Sequence, residues 1–143
     1  MTETEPTGRT ARPRILYLAR RWVVAARARL EEITRGHGMT AGDYSLLSFI
    51  DRLAPCSAAD LARALHITPQ AATQQVAQLE SKQLVSRYEN SANRRITLIE
   101  LTDLGRAAYR GIDLQVEALE ADLTAGLDAE QLALIHTFLS RRP

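Results

Sequence analysis

Amide and hydroxyl side chains are concentrated in a short segment that begins at Thr68-Pro69 and extends to about Ser81. A glutamine can pair with adenine through two hydrogen bonds, and a threonine methyl group can pack on thymine. The chemistry available to this segment is therefore the reading of base edges in double-stranded DNA. If it is helical, Ala72, Val76 and Leu79 point inward and the polar residues face outward. The candidate base-reading residues are Thr68, Gln70, Ala71, Thr73, Gln74 and Gln78.

Positive charge that could hold phosphates is absent from this segment, since no Lys or Arg occurs between Ala64 and Ser81. Affinity for a phosphate backbone would have to come from neighbouring cations. Two adjacent arginines at a polar hairpin tip could enter a narrow minor groove, where negative potential attracts guanidinium groups. A merely solvated pair, or a solvated glutamine-rich helix face, is the alternative. The available cations are Arg63, Lys82, Arg87, Arg94 and Arg95, of which the last three are the candidate DNA contacts.

Composition limits the classes of protein to which the chain could belong. Its 143 residues, 45% hydrophobic and 24% charged with a net charge of +1, fit one ordinary soluble domain and not a multidomain enzyme. Apolar runs stop at five residues, so we expect no membrane span and a cytoplasmic location. A single cysteine, Cys56, and three histidines leave little for disulfide, metal or cofactor chemistry. We expect neither a cofactor nor an enzymatic activity.

Capping signals and apolar periodicity divide the chain into helices. A long helix is predicted from Arg14 to Gly36 or Gly38, preceded by a disordered tail over residues 1–12. Later helices are predicted from their N-terminal capping residues, which in two cases have an aspartate three positions on. These caps are Thr40 with Asp43, Ser57 with Asp60, Thr68 before Pro69, Thr102, and Asp128.

Two β-rich runs, over residues 84–88 and 95–101, predict a hairpin with a polar tip after the segment that ends at Ser81. A short helix, a tight turn, a second short helix and then a hairpin is the order of a winged helix-turn-helix. The predicted fold class is therefore mainly α with a small β-hairpin wing. Residues 13–143 are predicted to form one domain, with the winged helix-turn-helix at about 40–102 and dimerisation helices at about 13–36 and 103–141.

With its motifs in the same order and positions, the sequence resembles the MarR (multiple antibiotic resistance regulator) family of transcription factors over roughly Ile15 to Leu139. The resemblance implies a homodimeric repressor of a pseudo-palindromic operator. By position it also implies that Arg95 is the wing arginine, and that Gln70, Ala71, Thr73 and Gln74 face the major groove. The matching motifs are Ala-Ala-Asp-Leu-Ala-Arg-Ala-Leu ending at Leu65, Ile67-Thr68-Pro69, Leu79, Leu84-Val85, Asn93-Arg94-Arg95, and Leu101-Thr102-Asp103-Leu104-Gly105.

Two positions depart from the family pattern. Asn93 replaces the wing aspartate, and an amide can hydrogen-bond to its neighbours but cannot form an ion pair. Gln83 replaces the glycine that usually follows the recognition helix, which costs on the order of 1 kcal/mol if this position is left-handed.

Apolar stripes on the first and last helices predict pairing with a second copy, although packing on their own domain is the alternative. The resemblance also implies a small aromatic or anionic effector, bound near Tyr17, Arg21, Trp22, His37 and Tyr44, although core or loop roles would explain these residues as well. Cys56 precedes a helix cap and could have a lowered pKa, but an inert thiol is the simpler interpretation. A winged-helix protein that uses its fold for protein contacts is the main rival function, and an enzyme is a distant one.

Overall fold

The computed structural model describes residues 12–141, so the first eleven residues of the predicted tail lie outside the described part of the chain. The fold is mainly helical with one antiparallel hairpin, which confirms the predicted fold class. In chain order the elements are α1 (Ile15–Gly36), α2 (Ala41–Leu53), α3 (Ala58–Leu65), α4 (Pro69–Ser81), β1 (Val85–Glu89), β2 (Thr97–Leu101), α5 (Asp103–Leu123) and α6 (Ala129–Leu139).

Every predicted cap is formed. The Thr40 hydroxyl accepts the Asp43 N–H and the Asp43 carboxylate accepts the Thr40 N–H, each at 3.0 Å, so α2 begins with a reciprocal pair. Ser57 with Asp60 begins α3 in the same way, and Asp128 does so at α6. These bonds satisfy backbone donors that the first turn of a helix would otherwise leave free, which explains why local sequence fixes the helix starts.

The hairpin is slightly shorter than predicted. Residue pairing runs from Val85 opposite Leu101 to Glu89 opposite Thr97. The second strand begins two residues later than expected because Arg95 and Ile96 belong to the turn. Their backbone N–H groups donate to the side-chain oxygen and carbonyl oxygen of Asn93, at 3.1 and 2.9 Å. Asn93 thus stabilises the turn through hydrogen bonds alone, as an amide can.

One hydrophobic core lies beneath α4. It combines the apolar faces of α2, α3 and α4 with the base of the hairpin, and Cys56 joins it through a β-bridge to Ile99. Burial of these side chains seats α4 on a rigid base, with α5 packed against α1 and α2. Fully buried members include Leu46, Leu47, Ile50, Leu61, Leu79 and Ile99.

The two ends of the described chain carry apolar side chains that the core does not cover. Leu16 of α1 is 83% exposed, and Leu134 of α6 is 70% exposed. In α6 no residue is buried, although the helix is rich in leucine, isoleucine and phenylalanine. Among residues 12–141, no helix combines the length and the hydropathy needed to cross a membrane.

Candidate nucleic-acid interface

Helix α4 has one buried face and one exposed polar face. Ala72, Val76 and Leu79 are buried, as the periodicity predicted. Among the candidate base-reading residues, only Ala71 is half-buried, and its N–H donates to the Thr68 hydroxyl at 3.1 Å. The exposed candidates are Thr68, Gln70, Thr73, Gln74 and Gln78.

A tight turn sets the angle between α3 and α4. His66 ends α3 in a left-handed conformation with φ of 54°, and the Ile67 N–H donates back to the Ala62 carbonyl at 3.1 Å. Thr68 then caps α4, with Pro69 in its first turn, where a missing N–H costs nothing. After this turn the first residues of α4, Pro69 and Gln70, are exposed, as insertion into a DNA groove requires.

Thr102 connects the hairpin to α5. Its hydroxyl donates to the Gln83 carbonyl at 2.6 Å and accepts the Gly105 N–H at 3.0 Å, while its own N–H donates to the Leu84 carbonyl at 3.1 Å. These bonds hold the residues after α4 against the start of α5. The Leu-Thr-x-x-Gly motif thus fixes the hairpin relative to the long helix.

Gln83 adopts the left-handed conformation considered for it, with φ of 60°. Its N–H donates to the Glu80 carbonyl at 2.8 Å, and the next N–H, that of Leu84, donates to the Leu79 carbonyl at 3.0 Å. The backbone therefore reverses after α4 as it would with a glycine, at a conformational cost of about 1 kcal/mol.

The wing arginines differ from the other nearby cations in their pairing. Arg94 and Arg95 are exposed, and neither forms an ion pair within residues 12–141. In contrast, Arg63 pairs with Asp60 and Arg87 pairs with Glu80. Lys82 Nζ lies 3.2 Å from Asp43 Oδ2, whose carboxylate is buried. Among these cations near α4, the two at the tip of the wing are the ones whose charge no carboxylate of the described residues offsets.

The Arg87–Glu80 pair was not predicted from the sequence. The two residues are seven positions apart and lie on different elements, so neither helical nor strand periodicity indicates the contact. Arg87 also lines a groove between α3, α4 and the hairpin, with a volume of about 670 Å³. Thr73 and Arg95 line the same groove, so the structure brings three of the predicted DNA contacts together.

The predicted effector residues do not form one site within a single chain. Tyr44 stacks on Tyr109 of α5 with ring centroids 5.9 Å apart, and its hydroxyl donates to Asp113 Oδ1 at 2.8 Å. His37 lies against the same helix, with its Nε2 atom 2.6 Å from Gln115 Nε2. Burial and the Asp113 carboxylate raise the pKa of the Tyr44 hydroxyl well above its usual value.

The other three effector candidates lie near the start of α1. The Arg21 guanidinium is 5.9 Å from the centre of the Tyr17 ring, and Trp22 is 48% exposed. At 1.5 Å per residue, Trp22 is roughly 20 Å along the helix from its C-terminal end near His37. One chain therefore brings His37 and Tyr44 to α5 and leaves Tyr17, Arg21 and Trp22 at the far end of α1.

Cys56 is buried, with 2% of its surface exposed. Burial raises the pKa of its thiol to about 11, and the nearby Asp60 carboxylate adds to the effect. The possible lowering by the helix N-terminus is therefore outweighed, and the inert interpretation fits the geometry. No cluster of three or more potential metal ligands occurs in the part of the chain that the structure describes.

Sequence comparison connects this architecture with known proteins. The model of the MarR family matches residues 37–96. The chain is 32% identical over 104 residues to the uncharacterized HTH-type transcriptional regulator YdgJ of Bacillus subtilis, a match that covers 73% of this chain and 63% of YdgJ, just under two thirds of that protein. These matches confirm the resemblance to the MarR family. The relative is named as a transcriptional regulator, so the comparison lends no support to the enzymatic alternative.

Solved MarR-family structures share the fold over most of their length. A mutant of E. coli MarR in complex with operator DNA superimposes with a TM-score of 0.76 and 26% identity, covering 86% of this chain and 89% of that one. BpsR of Bordetella bronchiseptica, whose DNA binding is regulated by 6-hydroxynicotinic acid, gives a TM-score of 0.77 at 22% identity, over 88% and 90% of the two chains. The second likeness concerns the fold alone.

Proposed function

We propose that this chain is a homodimeric, sequence-specific DNA-binding repressor of transcription. The observation that carries the proposal is the exposed polar face of α4, seated on a buried core beside a wing whose arginines have no carboxylate partner in the described region. Gln70, Thr73 and Gln74 read base edges in the major groove, and Arg94 and Arg95 enter the adjacent minor groove. The complex of the related E. coli MarR mutant with operator DNA supports this assignment.

The dimer is proposed from the apolar surface at the two ends of the chain. Ile15 and Leu16 of α1 are 78% and 83% exposed, and Phe138 and Leu139 of α6 are 66% and 69% exposed. A second copy that covers these faces would remove this apolar area from water. It would also place two copies of α4 in successive major grooves, about 34–36 Å apart. The operator is accordingly expected to be a pseudo-palindrome.

The effector is proposed as a small aromatic or anionic molecule that releases the DNA. In one chain, His37 and Tyr44 lie against α5 while Tyr17, Arg21 and Trp22 lie at the exposed start of α1. A complete site would therefore need the second copy to bring the start of its α1 close. Binding of phenolic acids should change both Trp22 fluorescence and DNA affinity, and indifference of both signals to such a panel would remove this part of the proposal.

One observation favours a second candidate function, in which the winged helix contacts a protein. Helix α4 presents no positive charge, and Arg63, Lys82 and Arg87 are each paired with a carboxylate of the same chain. The electrostatic attraction for DNA is therefore modest outside the wing.

Titration of the protein against a duplex from upstream of its own gene, at several salt concentrations, separates the two functions. A DNA-binding regulator is expected to bind this duplex specifically, with an affinity that falls steeply as salt rises because bound arginines displace counterions. Absence of binding at every salt concentration would favour the protein-contact function instead.

A further inference from the structure

The ion pair between Arg87 and Glu80 spans the junction between α4 and the wing hairpin. Arg87 lies on β1 and Glu80 in the last turn of α4. The two side chains are 37% and 38% exposed, so the pair is in contact with solvent. Exposed ion pairs of this kind are weak and can exchange partners.

The position of Arg87 places it beside the residues assigned to DNA. It lines the groove between α3, α4 and the hairpin together with Thr73 and Arg95. Arg63 also lines this groove and pairs with Asp60. Of the three arginines along the groove, Arg95 alone has no carboxylate partner within residues 12–141.

We propose that Glu80 takes the place of a DNA phosphate on Arg87, and that a backbone phosphate displaces it when DNA binds. The inference rests on the proposed DNA-binding function. A guanidinium group donates the same fork of N–H bonds to a carboxylate or to a phosphate, so the exchange conserves its hydrogen bonds. Binding then requires that the Glu80–Arg87 ion pair be broken, which lowers affinity by the strength of that pair. Glu80 therefore limits binding to any DNA, whatever its sequence.

The test compares Glu80→Gln with wild type on two duplexes, one from upstream of the gene and one of random sequence. Removing the carboxylate is expected to tighten binding to both by about threefold to fivefold, the size of one exposed ion pair. The slope of log affinity against log salt should stay the same, because Arg87 contacts one phosphate in both proteins, whereas Arg87→Gln should flatten it by about 0.9. In an Arg87→Gln background, Glu80→Gln should have no such effect, since its carboxylate then restrains no cation.

Glu100→Gln provides a matched control for net charge. Glu100 is exposed on β2 opposite Ser86, on the other face of the hairpin from Arg87 and Ile99, and it forms no ion pair among the described residues. It should alter affinity by less than about twofold, because it restrains no arginine. Thermal unfolding of each variant checks the fold, and Glu80→Ala serves as a second removal of the carboxylate.

Three outcomes would overturn the inference. Glu80→Gln could leave affinity unchanged, could weaken it as a residue that positions Arg87 would, or could tighten it equally in the Arg87→Gln background. If folded wild type and variants all fail to bind either duplex, the proposed function itself is wrong. Binding of DNA by the wild-type protein therefore separates a failure of this inference from a failure of the proposed function.

Discussion

The backbone of Leu84 lies directly against Gly105. A Cβ atom on Gly105 would be 1.8 Å from the Leu84 carbonyl oxygen, a distance that no real structure tolerates. The same carbonyl accepts the Thr102 N–H, so the chain after α4 cannot move away without breaking that bond. The glycine of the Leu-Thr-x-x-Gly motif is therefore required by close packing of the hairpin on α5.

Replacing this glycine should destabilise the fold. Gly105→Ala is expected to lower the free energy of unfolding by about 3 kcal/mol, because the backbone of Leu84 must shift and strain its hydrogen bonds. Urea denaturation followed by circular dichroism measures the change. Gly111→Ala on the same helix is the control, since its new Cβ would meet only the His37 side chain at 3.6 Å. The control should be neutral or more stable, and equal losses in both variants would contradict this account.

Gln83 offers a change in the opposite direction. Its φ of 60° lies in the left-handed region that disfavours side chains, so Gln83→Gly should stabilise the protein by about 1 kcal/mol. Gln83→Ala keeps the Cβ and should bring no such gain. The urea midpoints of the two variants measure these changes, provided that the dependence of the unfolding free energy on urea concentration is the same as in wild type. A gain of the same size in both would show that the glutamine side chain, and not the backbone, carries the strain.

The thiol of Cys56 should be unreactive in the native state. With its pKa raised to about 11, only about one molecule in a thousand carries a thiolate at pH 8. Labelling by a disulfide reagent should therefore be far slower in buffer than in urea, and peroxide should not change DNA binding. Peroxide sensitivity that Cys56→Ser abolishes would contradict the inert assignment.

The same group makes the stability depend on pH in alkaline solution. The folded-state pKa of Cys56, about 11, is above its ordinary value of 9.0, so between these values the folded chain retains a proton that the unfolded chain releases. The contribution of this raised pKa to the free energy of unfolding is complete below pH 9 and is lost as the pH rises towards 11. Cys56→Ser should reduce the dependence of stability on pH in that window.

Helix α6 provides a test of the proposed dimer. Phe138 is 66% exposed within the chain, and we expect a second copy to cover it. Phe138→Glu should convert the dimer to a monomer at micromolar concentration in sedimentation experiments, because a buried interface tolerates an unpaired charge poorly. Thr137→Glu, which adds the same charge to the adjacent position, should weaken association less. A wild-type protein that sediments as a monomer would contradict the dimer.

Local signals explain how much of the fold could be predicted from the sequence. Thr40, Ser57, Thr68, Thr102 and Asp128 each bond within three residues of themselves, so their roles depend on neighbours that the sequence shows directly. The buried face of α4 follows from helical periodicity in the same way. The start of β2 was placed two residues early because β propensity does not register the hydrogen bonds that Asn93 makes to the turn.

The candidate site was less predictable because its electrostatics depend on contacts between distant elements. Arg87 was predicted only as a candidate DNA contact, and its pairing with Glu80 depends on how the hairpin lies against α4. The effector residues were grouped by type, although the length of α1 separates Trp22 from His37. Periodicity within one helix does not report such distances between elements.

The central claim, that α4 reads bases while the wing holds the backbone, is tested most directly by comparing Gln74→Ala with Arg95→Ala on the operator and on single-base variants of it. Gln74→Ala should relax preference at one base pair by about 1–3 kcal/mol and leave the salt dependence unchanged. Arg95→Ala should weaken binding to all the duplexes and flatten the salt slope by about one. Equal, sequence-independent losses in both variants would contradict the claim.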